Sequence, residues 1–366
     1  MGQTSLWRGR AAWRLGAGMR AKALAIRLSL GLSLGLSLGL SLGLQGCGGG
    51  DDPPAPPPLQ VPSGPRDVAA SAGSDLQAAA LEGQASALAR AVVAAAGNPL
   101  GLDALPTAAG TPPALALPSL LTLAFGSPTR RDGPLAIHLM SRDCPAGGHL
   151  TLQLDDADEN LQASPGDTLW LIASGCVLQV GSLPLDGLVT VVLQQLDYDA
   201  EGTLRGLGAV GMVSGLSVGP LGTLQGPYRL RLRLESASLQ RQRFEYQAVL
   251  LRREGTEPLT LDLDVYTETT LLQVRHAISG GLGLGGQTYR VTPDEGLPLA
   301  HPVAEGLPSA WPASGRLRLR DGQGDALAFT ALPDARVNAE FIPAGQTAPT
   351  AALIDQPWAR FLLPAN

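Results

Sequence analysis

Lysine is nearly absent from this chain. Of its 26 basic residues only Lys22 is not arginine, a bias that goes with abundant Ala, Gly, Leu and Pro and reads as GC-rich coding rather than function. Histidine is scarce too. His138, His149, His276 and His301 have no partner at i, i+4 and no cysteine at ligand spacing, so a zinc centre is unsupported. Acidic residues are missing from residues 1–46, which carry Arg8, Arg10, Arg14, Arg20, Lys22 and Arg27. Without that segment the chain loses six positive charges and no negative ones, and its formal charge falls from −6 to −12. So acidic a remainder argues against nucleic acid or anionic lipid as the main partner.

The basic segment runs into the apolar tract "LSLGLSLGLSLGLSLGL", Leu28 to Leu44. It falls short of the ~20 apolar residues of a spanning helix. Alternating Leu with Ser or Gly has the period of a strand, but four LSLG copies after a charged n-region favour an export signal. Met19 offers a tidier start, because "MRAKALAIR" alone makes an n-region.

The tract ends in "LQGC", which resembles the lipobox of bacterial lipoproteins: an aliphatic residue three before the cysteine and a small one just before it. Gln45 stands where the family prefers a small or hydroxyl residue. The resemblance implies cleavage after residue 46 and acylation of Cys47, with membrane lipid as the partner of the anchor. Two or more acyl chains hold a protein stably on a membrane. Gly48, rather than Asp, implies outer-membrane delivery. The alternative is a plain secretory signal. With Cys47 lipidated, Cys144 and Cys176 remain as a disulfide pair in an oxidising compartment, or as two buried thiols.

Past Cys47, the Gly/Pro-rich residues 47–66 read as a flexible tether. Residues 67–96 are Ala-rich and favour helix, with an apolar face made mostly of Ala, so that weak packing or partial disorder is expected. A Pro-rich joint completes the 67–133 region. From 134 to 366 the pattern is one of short alternating runs between Gly, Pro and Asp turns. "HLTLQLD", "DTLWLIASG", "GLVTVVLQQLD", "YRLRLRLESA", "RFEYQAVLLRR", "LTLDLDVYTET", "QTYRVTP", "GRLRLRD" and "DALAFTAL" each read as a strand with one apolar face. Nine runs without helical crossovers predict an all-β, mostly antiparallel body: a meander, a sandwich or a partly open barrel. Arg229, Arg231 and Arg233 share one face, as do Asp262 and Asp264, and opposite charges pairing across strands are expected in preference to an anion-binding groove.

Two motifs tempt. "GLSVG" around Ser217 matches the nucleophile elbow G-x-S-x-G, but the residues after it, with Pro220, Gly222, Gly226 and Pro227, cannot form the helix that motif requires. "GLGLGG", Gly281 to Gly286, fits a dinucleotide fingerprint but runs into a strand, so a glycine-rich hairpin is expected.

Between the cysteines lies "DDADENLQASPGD". Numbered from Asp156, the loop places Asp156, Asp158, Asn160, Gln162, Ser164 and Asp167 at positions 1, 3, 5, 7, 9 and 12, the ligand positions of an EF-hand-type calcium loop. Leu161 occupies the position usually taken by glycine, and the flanks read as strands. A plain turn in which Asp and Asn cap backbone amides is the alternative.

The region from "CPAGGHLTLQLDDADENLQASPGD" through "SGCVLQVGSLPLDGLVTVVL", with "WPASGRLRLRDGQGDALAF" and "QPWARFL", resembles a group of uncharacterised Gram-negative lipoproteins. The likeness spans roughly residues 134–362 and lies in the order of its motifs. At "ARVNAEFIPAGQTAP" this chain departs from the group's second Asp-rich stretch. The expectation is an outer-membrane lipoprotein facing periplasm or exterior, with a non-catalytic structural or binding domain whose partner is an envelope protein or polymer. The rivals are a periplasmic hydrolase using Asp156, Asp167 or a histidine, and a carrier of lipid or envelope polymer with an apolar cavity.

Overall fold

The computed structural model describes residues 58–96, 138–144, 147–160, 163–177, 184–202, 204–236, 238–294, 296–304, 307–309 and 311–362. The signal segment 1–46, Cys47, the first part of the tether and the 97–133 joint lie outside them.

Seventeen strands form one antiparallel meander among the described residues. They are β1 (His138–Asp143), β2 (His149–Asp155), β3 (Thr168–Cys176), β4 (Leu185–Tyr198), β5 (Leu204–Val218), β6 (Thr223–Ser236), β7 (Leu239–Tyr246), β8 (Val249–Arg252) and β9 (Leu259–Thr270). They continue as β10 (Gln273–Leu284), β11 (Gln287–Pro293), β12 (Leu299–Ala304), β13 (Leu307–Pro308), β14 (Arg316–Arg320), β15 (Ala326–Leu332), β16 (Arg336–Ile342) and β17 (Ala351–Pro357). Neighbours in sequence pair in space almost throughout, as short turns require. β7 and β8 both lie between β6 and β9, and β11 and β12 both pair with β10. Of the three expected arrangements, the meander is the one found.

Each expected run is a strand, with "RFEYQAVLLRR" broken where Ala248 takes φ 54. β5 and β10 are strands that the alternation does not announce, since their glycines argue against strand. Those glycines answer to close approach instead. A Cβ on Gly211 would lie 2.5 Å from the hydroxyl of Tyr228, which crosses it to reach the Thr190 carbonyl at 3.0 Å.

The alanine-rich segment is helical only in its second half, α1 (Leu81–Ala96), preceded by one 3-10 turn. Weak packing was expected and is corrected: Ala85, Leu88, Ala89, Ala91, Val92, Ala94 and Ala95 are all at most 2% exposed. α1 touches β9 and β10, β16 and β17, and the C-terminal helix α2 (Trp358–Leu362). From Ala87 onward the helix is apolar on most sides, as burial requires, with Arg90 the one charged residue taken inside, and small alanines let the surrounding strands come near.

Residues 58–66, expected in the tether, lie instead on the outward face of the sheet. They open an extended strap that crosses the strands from β4 to the β14–β15 turn. Leu59 donates its N–H to the Asp197 carboxylate, and Arg233 donates to the Leu59 carbonyl at 3.2 Å. Further on, Arg66 N–H reaches Ser279 Oγ at 2.8 Å, Ser71 N–H reaches the Thr288 carbonyl at 2.9 Å, and Leu76 N–H reaches Asp321 Oδ2 at 2.7 Å. Glycines clear its path: a Cβ on Gly281 would stand 2.9 Å from Val68, and one on Gly322 2.1 Å from the Ser71 carbonyl.

The expected pairing of the β6 arginines with the β9 aspartates is also corrected, because β7 lies between those strands. Arg229 and Arg231 approach Glu245 at 3.6 and 3.9 Å, Arg243 pairs with Asp264, and Arg66 of the strap meets Asp262 at 2.9 Å.

Candidate functional site

The loop of residues 156–167 joins β2 to β3. Antiparallel order puts it at the rim where β2, β4, β6 and β9 all end. Carboxylate oxygens of Asp156, Asp158 and Asp167 lie within 4.8 Å of one another. The spacing read in the sequence therefore brings positions 1, 3 and 12 together. Asn160 turns nitrogen toward the group: its N–H lies 3.3 Å from both Asp156 Oδ1 and Asp158 Oδ1, and its Nδ2 donates to Asp158 Oδ2 at 2.8 Å. Ser164 Oγ donates to the same Asp158 oxygen at 3.2 Å. Gln162 and Leu161 lie outside the described residues. A left-handed turn is made by Glu159, φ 56, two positions before the one where glycine was expected.

Asp167 is fully buried. Its Oδ1 accepts the Ala157 N–H at 3.0 Å and its Oδ2 the Ser164 N–H at 2.7 Å, while its carbonyl accepts the Leu193 N–H of β4 at 2.9 Å. Burial raises its pKa; the two amide bonds oppose that rise, and the charges of Asp156 and Asp158 add to it. Asp158 lies below the ordinary value: burial acts upward, but hydrogen bonds with Asp156, the Asn160 amide and Ser164 outweigh it. Tyr198 donates to the Ala163 carbonyl at 3.4 Å, and its pKa is raised by burial and then by the Asp167 charge. Three carboxylates around one point suit a hard cation in charge and atom type. Asp167 also does what a capping aspartate does in an ordinary turn, spending both oxygens on backbone amides.

The other end of the β2–β3 hairpin is held differently. Cys144 and Cys176 stand at disulfide distance, their Cα atoms 5.5 Å apart. Beside them a Cβ on Gly148 would lie 2.0 Å from the Gly175 carbonyl, at φ 74, so only glycine fits. One hairpin is thus fastened at both ends.

The remaining motifs find structural places. Ser217 pairs with Asp186 and Thr223 inside the sheet, and only a three-residue 3-10 turn, Gly219–Leu221, comes after β5. "GLGLGG" is the end of β10 and the tight turn to β11, with Gly285 and Gly286 at φ 59 and 74. His149 meets Asp143 at 2.6 Å on an exposed strand pair.

Two groupings have no signal in the sequence. Asp75 of the strap joins Asp321 and Asp325 of the β14–β15 turn, with oxygens within 4.8 Å. Asp321 already accepts three amides, from Leu76, Gln323 and Asp325. The second is a buried polar band on the inward face. Registered across β7, β9, β10 and β12, it comprises Gln240, Gln242, Thr267, Thr269, His276 and His301. Thr267 Oγ1 and His276 Nδ1 share a hydrogen bond of 2.9 Å. His301 Nδ1 donates to the Ser309 carbonyl at 2.8 Å, which leaves its buried Nε2 an acceptor with no protein partner among the described residues. "LQRQRF" does not reveal this band, because polar residues occupy both of its faces. Comparison with known proteins adds no relative: no family's sequence profile matches the chain, and neither the curated proteins nor the solved structures yield a significant match.

Proposed function

We propose that this protein is an exported, lipid-anchored protein of the cell envelope, held at the outer membrane through Cys47, whose β-domain is a structural or binding module and not a catalyst. The observation that carries the reading is the pairing of Cys144 with Cys176. Paired cysteines belong to oxidising compartments. That agrees with the export signal in residues 1–46 and leaves Cys47 as the one cysteine outside the pair. Asp167, one of the residues a hydrolase would use beside Asp156 or a histidine, has both oxygens engaged by amides. Part of the inward face, where a carrier would hold its cargo, is taken by α1, which packs on β9, β10, β16 and β17.

Mass spectrometry of the membrane form tests the anchor. A processed chain beginning at an acylated Cys47 is expected, with Cys47→Ser releasing protein from the membrane. Intact, unmodified Cys47 in membrane-extracted protein would overturn the reading.

The acidic loop supports a calcium site in this module, formed by Asp156, Asp158 and Asp167. For an extracytoplasmic site the affinity is weak, with Kd on the order of 10⁻⁴ to 10⁻³ M. Millimolar calcium is expected to raise Tm in the parent and not in an Asp156→Ala, Asp158→Ala double variant. Equal Tm with and without calcium in the parent removes the metal.

A further inference from the structure

The outward face of the sheet changes character at the point where the strap begins. Over β6 to β10 it is charged, and the strap crosses it. Over β3, β4 and β5 it is largely apolar, and the described part of the strap does not cross it. The outward positions there register as Trp170–Thr190–Met212 and Ile172–Leu188–Ser214. Ile172 is 37% exposed and Met212 43%, while Trp170 and Leu188 are half-buried. A contiguous apolar patch on a sheet face marks an interaction surface.

We propose that this face lies on the lipid surface to which the chain is anchored; the inference rests on the anchored reading above. Where the chain enters the domain is the argument for that occupant. Leu59 is pinned to Asp197 by its N–H, and its side chain sits over Gly208, whose would-be Cβ lies 3.5 Å away. Gly208 is two positions from Val210 on the outward side of β5. Leu59 lies twelve positions after Cys47, a reach of at most about 40 Å. An anchor so short keeps this part of the domain near the bilayer.

The chemistry of the face agrees. Trp170 has an apolar body and one N–H donor, the amphipathic form that favours the membrane interface. Val210 registers with Arg229, and Arg229 and Arg231 share the single carboxylate of Glu245, so the border of the patch keeps positive charge for lipid phosphates. The chain as a whole is acidic, so the contact is apolar first and suits a zwitterionic surface.

Trp170 is its own reporter. Full-length protein, extracted from membranes, is reconstituted into phosphatidylethanolamine–phosphatidylcholine vesicles whose acyl chains carry bromine. The emission that a Trp170→Phe variant lacks is expected to be quenched, and an Ile172→Thr, Met212→Thr double variant to lose that quenching. Met212→Trp placed in the Trp170→Phe background is a second reporter, at an exposed position that tolerates change. Vesicle flotation reads the anchor separately. Protein that floats with Trp170 unquenched overturns the face and leaves the anchor standing. Protein that does not float, yet is quenched at high lipid concentration, retains the face and removes the anchor. A dimer in sedimentation that the Ile172→Thr, Met212→Thr variant dissociates, with Trp170 unquenched, assigns the face to a second copy and overturns the proposal.

Discussion

The imidazole rings of His276 and His301 meet edge to face on the buried side of the sheet, their centroids 5.1 Å apart. Burial lowers the pKa of both. The nearness of His301 lowers His276 further, while the Ser309 carbonyl partly restores His301.

A histidine lowered in the native state leaves the unfolded chain to bind the proton first as pH falls. The stabilisation is complete above the ordinary histidine value near 6.5 and is lost as pH drops below it. The urea midpoint is expected to fall between about pH 7 and pH 5, and to fall less steeply in His276→Gln and His301→Gln. Parallel slopes in all three proteins would clear the histidines of the effect.

Reduction of the Cys144–Cys176 pair, 32 residues apart in sequence, is expected to cost about 3–4 kcal/mol. That corresponds to a Tm loss on the order of 10 °C in a domain of this size. The Cys144→Ser, Cys176→Ser double variant should match the reduced protein in calorimetry. A melting curve indifferent to reductant would show that the thiols are not joined.

Ala91 is wholly enclosed. Ala91→Leu is expected to destabilise by about 1–3 kcal/mol through overpacking, and Leu88→Ala by about 2–5 kcal/mol through a cavity. A helix resting loosely on the sheet would show a few tenths for Ala91→Leu, and denaturant titration separates the two.

The strap should come loose by one substitution more than by another. Asp321→Ala removes the acceptor of three amides and is expected to cost about 3 kcal/mol and to speed proteolysis within residues 58–77. Arg66→Ala breaks a pair in which both side chains are about a third exposed, and should cost about 0.2–1 kcal/mol. Equal proteolysis rates in the two variants would mean that Asp321 does not fasten the strap.

Much of the body was legible. "HLTLQLD" is β2 residue for residue, and the other alternating runs became strands close to their expected ends. Alternation survives because it records which side chains face the core. β5 and β10 were not legible, since glycine weakens a strand on its own terms, and the reason for glycine at Gly208, Gly281 and Gly211 lies in other segments that approach them. The acidic loop was legible in its spacing, and Asp156, Asp158 and Asp167 do converge. Its turn was not, because the left-handed residue is Glu159, which no composition rule selects.

By itself the sequence determined an all-β antiparallel body, its strand faces, an Ala-rich helix before it and one pair of cysteines within it. These come from local periodicity, short connections and counting. Only the tertiary structure decided that the supposed tether is in part a strap, that most of α1 is enclosed, that Glu245 answers Arg229 and Arg231 while Asp197 and Glu235 answer Arg233 in place of the β9 aspartates, and that two histidines far apart in sequence meet. The period of a strand says which face a side chain takes. Which strand lies beside it, and what covers that face, are set by long-range pairing.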